Sequence, residues 1–97
     1  MRVMATISIP VDAGNRAITE GRLPKVMQAT AERWHPEAMY FTAVKGQRTA
    51  FVVFDMPDSS AMPVFAEPFF SQLDAQVELA PVMNSDDLQQ GLSELGA

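Results

Sequence analysis

Thr49-Ala50-Phe51-Val52-Val53-Phe54-Asp55 is the stretch on which the fold turns. Branched and aromatic residues suit a pleated strand. Their apolar character here falls on both parities, Phe51 and Val53 on one and Val52 and Phe54 on the other. A strand of that kind belongs in the middle of a sheet, with something covering each face. Just before it, Lys45-Gly46-Gln47-Arg48 reads as a tight turn. The residues from Glu37 to Val44 are again rich in strand formers, among them Met39, Tyr40, Phe41, Thr42 and Val44. Two such runs around a short glycine turn predict a β-hairpin.

Further out, residues 2–9 alternate Val3, Ala5, Ile7 and Ile9 with Met4, Thr6 and Ser8, a strand with one strongly apolar face. Pro10 closes it, because proline has no N–H for the ladder. Asp12 or Asn15 can cap the next segment, where Ala13, Ala17 and Ile18 suggest a short helix that Gly21 weakens. Gly14-Asn15 also carries a turn signal. Leu23, Met27, Thr30, Ala31 and Trp34 then recur at spacings of three and four, the stripe of an amphipathic helix with Pro24 in its first turn. His35 precedes Pro36, so this helix should end near Trp34. After the hairpin, Asp58, Ser59 or Ser60 caps a second main helix carrying Met62, Phe65, Ala66, Phe69, Phe70 and Leu73. Pro68 should kink or restart that helix. Residues 75–82 alternate as a fourth strand, with Pro81 suited to an edge. Asn84 or Ser85 caps a tail helix over residues 84–97, with Asp86 and Asp87 in its first turn and a stripe of Leu88, Leu92 and Leu95.

The order is β-α-β-β-α-β plus a tail helix, an α+β arrangement of the ferredoxin-like, split βαβ kind within a single domain, 1–97. Its sheet is antiparallel with the first and third strands inside, and the helices cover one face. The other face would carry either Val52 and Phe54 or Phe51 and Val53. An apolar sheet face of several hundred Å² rarely stays bare, so a second copy of the chain is the expected cover.

Composition narrows the function classes. The 97 residues contain no cysteine, which removes disulfide scaffolds, zinc–thiolate sites, iron–sulfur clusters and cysteine nucleophiles. No apolar run approaches the roughly 20 residues of a membrane span. The first residues read as a strand, not a leader, so the cytoplasm is the expected compartment. The formal net charge of -5 argues against a nucleic-acid partner. All seven Lys and Arg lie within residues 1–48, and eight of the 12 acids lie in residues 49–97. Such a split suits attraction between elements, or complementary patches on two subunits.

Three stretches carry a family resemblance: Ile9-Pro10-Val11-Asp12-Ala13-Gly14-Asn15-Arg16-Ala17-Ile18, Ala66-Glu67-Pro68-Phe69-Phe70 and Ala80-Pro81-Val82-Met83-Asn84. With the strand order, they make the chain resemble the dimeric α+β barrel superfamily. It is most similar to that superfamily's small bacterial proteins of unassigned function. The resemblance implies a homodimer with two sheets packed back to back and a tail that reaches the partner. Other members are cofactor-independent monooxygenases, muconolactone isomerases and relatives of chlorite dismutase. None of their catalytic motifs maps onto this chain, and no aligned position makes His35 the counterpart of an axial haem ligand.

Four residues are the candidates for a cleft between helix and sheet. His35, the only histidine, could act as a general base. Trp34 and Tyr40 flank it and offer an indole N–H and a phenol. Glu67, beside Phe65, Phe69 and Phe70, could have a raised pKa. The expected role is binding of a small apolar molecule, with no cofactor and no metal. The alternative is a cofactor-independent isomerase or monooxygenase using His35, Tyr40 and Glu67. That alternative requires His35 or Glu67 to point into a pocket of roughly 300 Å³ or more.

Overall fold

The computed structural model describes residues 1–96. The element order is β1 (Arg2–Ile9), α1 (Val11–Thr19), α2 (Arg22–Trp34), β2 (Ala38–Val44), β3 (Gln47–Asp55), α3 (Ala61–Leu73), β4 (Gln76–Pro81) and α4 (Ser85–Ser93). This is an α+β fold with one four-stranded sheet in the order β2-β3-β1-β4, every pair antiparallel. The two most apolar strands, β1 and β3, are inside, as their composition predicts. No helix among the described residues is long and apolar enough to cross a membrane.

Register settles which parity of β3 faces the helices. Val3, Ala5 and Ile7 lie opposite Phe54, Val52 and Ala50 across the β1–β3 ladder. All six are at most 1% exposed and share a core with Ala17, Val26, Phe65, Phe69 and Leu73 of α1, α2 and α3. Val52 and Phe54 therefore lie under the helices. Phe51 and Val53 are half-buried on the opposite face, which these helices leave uncovered. Aromatic rings fill the deepest layer. Phe54 and Phe65 stack at 4.2 Å between centroids, and Trp34 meets them edge-on at 5.4 and 5.6 Å. Such pairs add about 0.5–1.5 kcal/mol each beyond area burial. No buried side-chain nitrogen or oxygen among the described residues lacks a hydrogen-bond partner.

Several local expectations are corrected. Gly14-Asn15 is not a turn: both residues lie inside α1, which starts at Val11 and has no side-chain cap from Asp12 or Asn15. The hairpin turn is only Lys45-Gly46, with φ of 53° and 76°. Both central residues are left-handed, the requirement of a two-residue turn that matches strand twist, and glycine meets it without strain at the second. Gln47 and Arg48 thus belong to β3. Helix α3 runs unbroken from Ala61 through Pro68 to Leu73. Pro68 faces solvent, while Phe65, Phe69 and Leu73 hold the other side of α3 in the core. Packing therefore outweighs the lost N–H donor. The capping prediction for α4 is met by Asn84, whose side chain accepts from the Asp87 N–H at 2.8 Å while Asp87 accepts from the Asn84 N–H at 3.1 Å.

Helix α4 contributes no buried residue. It ends at Ser93, short of the expected tail helix over residues 84–97 (residue 97 lies outside the described residues), so Leu88 and Leu92 lie on it and Leu95 beyond it, and all three are exposed. Arg2 tethers its first turn, donating to Asp87 at 3.2 Å and to Glu37 at 2.6 Å. Hydrogen bonding to Glu37, followed by its charge, raises the Arg2 pKa further above its ordinary value.

Candidate functional site

A cleft of about 410 Å³ opens between α2 and the helix-side face of the sheet, lined by Ile9, Leu23, Met27, Phe41, Thr42, Arg48, Thr49 and Ala50. Leu23 and Met27 are one turn apart on α2 and form the helix wall. Ile9, Arg48, Ala50 and Phe41 form the sheet wall, because Ile9 lies opposite Arg48 and Phe41 opposite Ala50. The size falls within the range of small-molecule sites, and an apolar lining with few polar groups is typical of them.

Arg48 is the one charged residue of the lining. It shares the parity of Ala50, Val52 and Phe54 along β3 and so lies on the helix side. Its Nη2 donates to Asn15 Oδ1 at 2.9 Å and its Nη1 to the Val11 carbonyl at 3.4 Å. No carboxylate among the described residues pairs with it. The guanidinium reaches α1 because Gly14 has no side chain: a Cβ there would stand 2.5 Å from Arg48 Nη1.

The four residues expected in the cleft are dispersed. Trp34 belongs to the aromatic core and borders a separate, shallower depression with Arg33, Pro57, Asp58, Ser60, Ala61 and Val64. His35 ends α2 in a left-handed conformation, φ 45°, with its side chain in solvent. Tyr40 is 70% exposed and lies opposite Phe51, on the face away from the helices. Glu67 is exposed on α3. The structure thus brings none of His35, Tyr40 and Glu67 to the 410 Å³ cleft. In the isolated chain the geometric condition set for acid–base work by His35 or Glu67 is not met. Among the described residues, no three His, Cys, Asp or Glu gather closely enough to hold a metal ion.

Two sequence signals pointed at the real lining. Arg48 has the parity of Val52 and Phe54, but a glycine turn over Lys45-Gly46-Gln47-Arg48 leaves it outside the strand, whereas the actual two-residue turn puts it inside. Gly14 sits among helix formers, where an isolated glycine often marks close packing. Leu23 and Met27 lie on the amphipathic stripe of α2, a pattern that marks the inward face without separating core from cleft. No family model matches this chain, and neither does any curated protein.

Proposed function

We propose that the chain forms a ferredoxin-like homodimer of the dimeric α+β barrel kind, in which each copy binds a small apolar molecule in the cleft between α2 and the sheet. The observation that carries the binding reading is the apolar 410 Å³ cleft itself. Its one ionisable lining group is a guanidinium, which keeps its proton at every ordinary pH and is a poor proton shuttle. Binding is therefore the better reading of this geometry than proton-transfer catalysis. The homodimer reading draws on the uncovered sheet face and on the exposed leucines of α4, and the cytoplasm is its natural setting.

The test uses 1-octanol as a neutral apolar probe. It should raise the melting temperature by a shift that grows with the logarithm of its concentration once that exceeds the Kd. Met27→Trp, which fills the cleft from α2, should abolish that shift while leaving the far-UV circular dichroism spectrum intact. An unchanged melting temperature at saturating 1-octanol would remove the binding reading.

A further inference from the structure

We propose that the cleft selects a small monocarboxylate with an apolar tail, and that Arg48 is the group that recognises its carboxylate. The inference rests on the cleft being a binding site and adds the chemical class of its ligand. Three observations support it together. First, Arg48 is half-buried at the wall of an otherwise apolar cleft, and no acidic side chain among the described residues neutralises it. Its partners are two neutral oxygens, Asn15 Oδ1 and the Val11 carbonyl. They engage two of the five N–H groups of a guanidinium and leave its charge uncompensated.

Second, Arg48 interrupts an apolar face of the strand. Ala50, Val52 and Phe54, the residues that follow Arg48 at the same parity, are at most 1% exposed. An apolar side chain at position 48 would continue that face. Third, α1 accommodates the guanidinium by a glycine within the helix, a choice that costs about 0.5–1 kcal/mol relative to alanine. Gly14 leaves room where a Cβ would stand 2.5 Å from Nη1 and 3.2 Å from Ile9 Cγ2. Asn15, the next residue, supplies the oxygen that orients the fork. A planar, singly charged carboxylate matches one guanidinium fork. A phosphate group would bring more charge than this single cation balances. The apolar walls formed by Leu23, Met27, Ile9 and Phe41 suit the tail.

Isothermal titration calorimetry with octanoate and 1-octanol, at neutral pH and low salt, separates the two parts of the claim. The native protein should bind octanoate about tenfold more tightly than 1-octanol, the size of a charge-assisted hydrogen bond. Arg48→Gln should bring that ratio close to one and leave 1-octanol affinity within about twofold. Gly14→Ala should fold normally and lower the ratio severalfold by displacing the guanidinium. That variant keeps the test decisive if Arg48→Gln does not fold. Equal affinity of the native protein for both probes overturns the carboxylate assignment and leaves the cleft standing. Binding of neither overturns both.

Discussion

Asp58 shows how much one side chain can organise. Its Oδ1 accepts from the Ser60 hydroxyl and, at 2.9 Å, from the Ser60 N–H, and its carbonyl accepts from the Ala61 N–H at 3.1 Å. The start of α3 is thus built by Asp58 and not by its N-terminal neighbour Ser60, which makes no side-chain cap. Those two bonds, the hydroxyl's first and the backbone's second, hold the Asp58 carboxyl below its ordinary value of 3.8. A carboxylate depressed in the folded state adds stability above its unfolded pKa and loses it as pH falls through the folded one. The contribution of Asp58 is therefore complete at neutral pH and fades only below 3.8. A carboxyl carbon titration followed by NMR should place Asp58 below that value, and Ser60→Ala should bring it back upward. Arg48 illustrates the opposite case. Its chemistry was plain in the sequence, but its direction was not, because the length of the turn before it decides which face it takes.

At the level of elements, periodicity was the best guide. The alternation of β1 and the three-four spacing of α2 and α3 are strong enough to place all three, since each has one face that must be dry. The doubled parity of β3 is the reason the sequence left its orientation open. Phe51-Val52-Val53-Phe54 offers two equally apolar faces, and only pairing with Val3, Ala5 and Ile7 distinguishes them. The face away from the helices is not uniformly apolar. Across it, Ala38, Val53, Met4 and Ala80 form one row, and Tyr40 and Phe51 begin the next before it turns polar at Thr6 and Glu78. Beyond them come Thr42, Thr49, Ser8 and Gln76. The proposed contact between copies is therefore centred on the first two rows. Val52→Asp should unfold the protein, since an unpaired charge in a site 0% exposed costs several kcal/mol. Val53→Asp should keep the fold and weaken self-association. Circular dichroism and sedimentation velocity, run on both variants, check the pair. Similar behaviour of the two would contradict the assigned faces.

The whole molecule measures 54 × 28 × 18 Å, with a radius of gyration of 15.4 Å. A compact chain of this length would give roughly 12–13 Å. The excess fits two elements that extend from the body: α4, with no buried residue, and the hairpin end of β2, exposed from Tyr40 to Val44. A body one sheet and one helix layer thick leaves half its sheet surface for another molecule. Light scattering at micromolar concentration should give about twice 10.6 kDa. Leu88→Ser combined with Leu92→Ser should lower that mass toward a single chain if α4 takes part in the contact. Strand β2 has a consequence of its own. It is an outer strand of the sheet, and Ala38-Met39-Tyr40-Phe41-Thr42-Ala43-Val44 holds neither charge nor proline. Its free ladder groups lack the usual deterrents to unwanted pairing. A partner on that margin would also guard against fibrils, and a chain with the strand bare should on heating template ordered aggregates there before the core melts.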